Sequence, residues 1–83
     1  MVEKKVVITH SQDHEFELAT MIVQLASRYQ SRISILLGNK RVNAKSIMGM
    51  MSLGLMEEDE VTIIAEGDDE SEAIECLTKL LHQ

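Results

Sequence analysis

Five side chains that could bind a metal ion or exchange a proton crowd one short stretch: His10, Asp13, His14, Glu15 and Glu17. The spacing His-x-x-x-His would bring both imidazoles to one face if the stretch were helical. His10, however, falls before the helical pattern begins, and a structural zinc site usually needs four well-spaced ligands. The plainer reading is an acidic helix start. Asp13, Glu15 and Glu17 then meet the positive end of the helix dipole, and the two histidines lie in a solvated loop.

A second chemistry is open at Ser46. Its hydroxyl stands at the mouth of a short helical pattern, where it can accept a bond from a free backbone N–H of the first turn. Ile47, Met48, Met51 and Leu55 recur behind it at short helical spacings, and Met50 and Leu53 widen the stripe. That is more apolar surface than a two-turn helix needs to face a core. Methionine is flexible and polarizable, and it is over-used on surfaces that must fit a partner. Read plainly, the segment is a loosely packed core helix opened by an N-cap serine. Read more sharply, Ile47, Met48, Met51 and Leu53 form a docking patch beside a modifiable hydroxyl. Gly49 and Gly54 lie inside or beside the helix, where glycine is costly. The lone Cys76 falls among helix formers without a sequence neighbour to lower its pKa, so it reads as a structural thiol.

Composition bounds what these residues can belong to. Eighty-three residues make one domain, spanning 1–83, with a small core. One Phe, one Tyr and no Trp leave that core to aliphatic residues. A net charge of −6 argues against direct nucleic-acid binding, which needs a basic face. The charge is uneven: Arg28, Arg32, Lys40, Arg41 and Lys45 are basic, whereas ten of the fourteen acids lie at or after Glu57. This asymmetry could steer a charged partner to the middle segment. One cysteine permits no internal disulfide. No apolar run reaches membrane-spanning length and no secretory signal opens the chain, so a cytoplasmic protein is expected. No motif calls for a cofactor or an enzymatic activity.

The elements follow from periodicity. Val2 to Thr9 reads as a strand, and Glu15 to Tyr29 as a helix with Phe16, Ala19, Ile22, Val23 and Ala26 on its apolar side. Arg32 to Leu37 is a second strand. Gly38-Asn39 is a tight-turn signal, and Lys40 to Ala44 is a third strand, so the two form a hairpin. The Ser46 helix ends near Leu53. Glu60 to Glu66 is a fourth strand with Val61, Ile63 and Ala65 on one face. A last helix, which Asp68 or Asp69 can cap, carries Ala73, Ile74, Leu77, Leu80 and Leu81 on one side and acids on the other. The order βαββαβα is met most economically by a two-layer α+β domain, one sheet with helices on one face and its other face wet.

Lys40 to Leu53, Lys-Arg-Val-Asn-Ala-Lys-Ser-Ile-Met-Gly-Met-Met-Ser-Leu, closely resembles the regulatory-serine segment of the HPr family. HPr is the histidine-phosphorylated carrier of the bacterial sugar phosphotransferase system. The likeness extends through Glu60 to Ala73 and back to Ile22 to Ala26. It implies an open-faced sandwich of four antiparallel strands with three helices on one face. It breaks at the family's active site. Where HPr proteins carry Gly-Leu-His-Ala-Arg-Pro-Ala, this chain reads Asp13-His14-Glu15-Phe16-Glu17-Leu18-Ala19. Glu15 occupies the phosphohistidine position, Glu17 that of the arginine that would hold the phosphate, and Leu18 that of the proline.

Two acids would repel an incoming phosphate, and phosphoryl transfer rests on placed positive charge. Substitution by His14 or His10 would be the carrier alternative, and a self-associating or metal-binding module is a third reading. Glu15 could also imitate the phosphorylated state as a fixed negative charge. Ser46 matches the family's regulatory serine. The resemblance therefore implies a branch similar to the catabolite-repression HPr-like proteins, which keep the serine and lose the carrier role. The partners implied are a serine kinase and a LacI-type transcription regulator, engaged by a monomer or weak homodimer. Glu17 reverses the sign of the arginine that helps bind both partners.

Overall fold

Val61, Ile63 and Ala65 alternate with Thr62 and Glu66 along one strand, and this alternation sets the sheet's two faces. In the computed structural model, which describes residues 1–9, 15–56 and 58–82 (with the side chains of 15–17 outside that description), the elements are as follows. In chain order they are β1 (Val2–Val7), α1 (Glu15–Ala26), β2 (Arg32–Leu37), β3 (Lys40–Asn43), α2 (Ile47–Leu53), β4 (Glu60–Glu66) and α3 (Glu70–Leu81). The expected order βαββαβα is therefore found. The strands form one sheet in the order β1-β4-β2-β3, and every pairing is antiparallel.

Val6, Val61, Ile63, Ala65, Ile33 and Ile35 line the covered face and are buried. The three helices lie over it. α3 packs on β1 and β4, α2 on β3 and α1, and α1 also meets α3. Ile22 and Ala26 from α1, Met50 and Leu53 from α2, and Ala73, Leu77 and Leu81 from α3 complete an aliphatic core. Ser34 and Thr62 are half-buried on the open face, as their polarity suggests. Ile64 departs from that pattern. It is buried on the uncovered face, between its cross-strand neighbours Glu3 and Ser34.

Several boundaries differ from the periodic reading for identifiable reasons. β1 stops pairing in the ladder at Val7, yet the chain stays bonded: Ile8 N–H donates to Asp59 O and Thr9 N–H to Leu81 O. α1 ends at Ala26 rather than Tyr29. Arg28 and Tyr29 donate three residues back, to Leu25 and Ala26, which tightens the last turn. Beyond it, the chain is seized by tertiary partners. The Lys45 ammonium donates to Tyr29 O at 2.7 Å. The Asp69 carboxylate accepts from Gln30 N at 2.9 Å, Ser31 N at 3.0 Å and the Ser31 hydroxyl.

Asp69 does stand at the N-cap position of α3, but its side chain does not cap that helix. The expectation of a side-chain cap is corrected here, because three donors of the α1–β2 loop offer the carboxylate more than one N–H of its own helix could. Glu70 holds the turn instead: its carboxylate accepts from Gly67 N at 3.0 Å and pairs with the terminal ammonium of Met1 at 3.2 Å.

The Ser31 hydroxyl, then the Gln30 N–H, hold the Asp69 carboxyl below the usual aspartate range. A depressed folded-state pKa adds stability that is present above the unfolded value and lost as pH falls through the folded one. Asp69→Asn is therefore expected to melt earlier than the wild type at neutral pH. The gap should close as the solution is acidified below the ordinary aspartate pKa, followed as Tm by circular dichroism. A constant gap across that window would show that the carboxylate's charge is not what the loop uses.

Candidate functional site

The segment from Asn43 to Gly54 is built by three local devices. The Asn43 side-chain oxygen accepts from Lys45 N at 2.8 Å, and Asn43 O accepts from Ser46 N at 3.0 Å, so the chain turns sharply out of β3. Ser46, in extended backbone geometry, caps α2. Its hydroxyl accepts from Gly49 N at 3.2 Å, and its carbonyl accepts the first helical bond from Met50 N at 2.9 Å. Gly54 ends the helix in the left-handed region (φ 60°, ψ 49°), with its N–H on Met51 O. Its presence there is not a cost but a C-terminal stop that residues with a Cβ make poorly.

The helix divides its apolar residues between two duties. Met50 and Leu53 point into the core, and Leu55 just beyond is buried too. Ile47 and Met51 are 38% and 47% exposed, and Met48 is 81% exposed. Leu53 is thus withdrawn from the expected docking face, because three residues on from Met50 it lies on the same side of the helix. What remains outward is Ile47, Met48 and Met51. Met56, in the connector after α2 and outside its helical stripe, is also exposed. Helical spacing ends at Gly54, so it assigns neither Leu55 inward nor Met56 outward.

Ser46 is half-buried, with its backbone N–H and carbonyl both bonded. Lys45 beside it is held toward Tyr29. The chemistry this arrangement supports is modification of a hydroxyl next to an apolar surface. Glu15 and Glu17 lie in the first turn of α1, where backbone N–H groups are free of helical partners. His10, Asp13 and His14, and with them the proposed metal cluster and substitute phosphate acceptors, lie outside the described residues. Among the described residues, no group of His, Cys, Asp or Glu is arranged to hold a metal ion. Among them too, no helix is long and apolar enough to cross a membrane. Cys76 is half-buried on α3 beside Tyr29. The Cys76 thiol, then burial, raises the Tyr29 phenol above its usual pKa.

Residues 2–83 match the model of a family described as PTS-HPr, PTS HPr component phosphorylation site. The HPr-like protein Crh of Halalkalibacterium halodurans is 42% identical over 83 residues, all of this chain and 99% of that one. Among solved structures, HPr-C-His from Thermoanaerobacter tengcongensis superposes with a TM-score of 0.90 and is 44% identical, over 98% of this chain and 91% of the other. A Bacillus subtilis Crh structure described as a domain-swapped dimer gives 0.74 and 43% identity, over 98% and 93%.

Proposed function

The chain belongs to the HPr family, and from that premise we propose that it is a noncatalytic regulatory or adaptor protein, switched at Ser46, not a phosphocarrier. It docks on a protein partner through the outward side of α2. The observation that carries this reading is the pairing of Ser46 with exposed Ile47, Met48 and Met51, in a chain that has Glu15 and Glu17 where the family keeps histidine and arginine. A phosphate on Ser46 adds strong acceptor charge at the edge of that apolar surface, and Lys45 is the nearest cation in sequence to answer it. The relatives named for catabolite repression support the corresponding role here. In this role the phosphoserine form, made by a serine kinase, acts as corepressor of a LacI-type transcription regulator in the cytoplasm. Of the two expected states, monomer or weak homodimer, the dimer of the Bacillus subtilis relative supports self-association, which light scattering over a concentration series would measure.

The test has two arms. Incubation with the HPr kinase of the same cell and ATP, read by intact mass, should add one phosphate to the wild type and none to Ser46→Ala. Phosphorylated protein should then bind the regulator, and Met48→Asp/Met51→Asp should weaken that binding by about a hundredfold, the scale of losing a central apolar anchor. No phosphate on the wild type would remove the switch. An acid-labile phosphate gained instead from phosphoenolpyruvate and the general phosphotransferase enzyme would make the chain a carrier, with His14 or His10 as acceptor.

A further inference from the structure

The hairpin of β2 and β3 carries, on the open face of the sheet, a concavity of about 460 Å³ lined by Arg32, Arg41, Lys45, Ser34, Asn43 and Gln30, among others. In a chain of net charge −6, three of its eight basic residues meet here. Register explains how. Ser34 faces Asn43 across the two antiparallel strands. Arg32 lies two residues before Ser34, and Arg41 two residues before Asn43, so the period of two brings all four side chains to one face. Because the strands run in opposite directions, the two arginines stand at opposite ends of the Ser34–Asn43 pair. Their Cα atoms are roughly 14 Å apart along the strands, at about 3.4 Å per residue.

The two arginines are not committed elsewhere. Neither Arg32 nor Arg41 has an ion-pair partner within 4 Å among the described residues, although Glu66 is Arg32's cross-strand neighbour on β4. Lys45 donates to a carbonyl, Tyr29 O, which leaves its charge uncancelled. On the side of the α1–β2 loop, the Asp69 carboxylate is occupied by Gln30 N, Ser31 N and the Ser31 hydroxyl.

From this geometry we infer that the concavity is a binding site for a small polyphosphate-bearing anion, distinct from the α2 surface. Two guanidinium forks closing from either end suit phosphate oxygens, which they bind bidentately. Ser34 and Asn43 between them offer a hydroxyl and an amide to a bridging or esterified oxygen. The volume exceeds what one phosphate fills and falls within the range of small-molecule sites.

The test is a backbone-amide NMR titration of the full chain at fixed ionic strength, with inorganic pyrophosphate in one arm and ADP in the other. The diphosphate is the shared chemistry, so both should give saturable shifts centred on Ser34, Asn43 and Lys45. Arg32→Gln/Arg41→Gln, at two exposed positions, should weaken both ligands by about tenfold or more. Lys4→Gln/Lys79→Gln removes the same charge away from the hairpin and should change affinity less than about twofold. Shifts that never saturate, equal weakening in the two double variants, or saturation by ADP without pyrophosphate would each overturn the assignment.

Discussion

Alanine at Gly67 is expected to cost about 3 kcal/mol or more, combining overpacking with a strained backbone. Gly67 sits at φ +155°, and a Cβ there would lie 2.6 Å from the Ser31 hydroxyl oxygen and 2.7 Å from Ser31 Cα. A side chain can rotate away from such a contact, but a backbone carbon cannot. Ser31 is only 1% exposed, and its N–H and hydroxyl are both held by Asp69. The turn before α3 and the loop after α1 therefore have no room to separate without breaking those bonds. Gly38→Ala is the control. Gly38 also has positive φ (+62°), but a Cβ there meets nothing within 4 Å. It carries the conformational cost alone, about 1 kcal/mol. Urea unfolding of both variants separates the two terms. Equal losses would show that the Ser31 contact relaxes freely.

Alanine at Met50 should cost about 3 kcal/mol, while alanine at Met51 should cost less than about 0.5 kcal/mol. The two residues are adjacent and chemically identical. One is 1% exposed in the core, and the other is 47% exposed on the outer side of α2. Truncating the first leaves a cavity under a helix of only seven residues, which has little stability of its own. Truncating the second removes a side chain that water already reaches. Thermal or urea unfolding measures both. If Met51→Ala proved as costly as Met50→Ala, the outer side of α2 would be core, and the docking surface would be lost with it.

That contrast also shows what local sequence can and cannot tell. The strands Arg32–Leu37 and Glu60–Glu66 appear at their expected limits because β-branched alternation and flanking turn residues act locally. Ser46 was legible as a cap for the same reason: a hydroxyl three residues before a free N–H needs no distant partner. The division of the α2 stripe was not legible. Six apolar residues in nine positions offer more than one face to a core, and only the placement of α1 and β3 decides that Met50 and Leu53 turn inward. Asp69 was misassigned because its donors lie nearly forty positions earlier in the chain. The basic hairpin concavity was half legible. The positive middle segment stood out in the sequence, but the registration of Ser34 on Asn43, which gathers Arg32 and Arg41, is a property of the pairing.

The sheet order has a further consequence, in time rather than in space. β1 precedes the other strands in the chain, and among the described residues its ladder partner is β4 alone, so that Val6 must find Val61 across most of the chain. β2 and β3, by contrast, close through a two-residue turn. A hairpin of that kind forms within microseconds, whereas a distant pairing must first meet the entropy of closing a long loop. The β1–β4 pairing is therefore expected to form after the β2–β3 hairpin, with folding proceeding from the middle of the sequence outward.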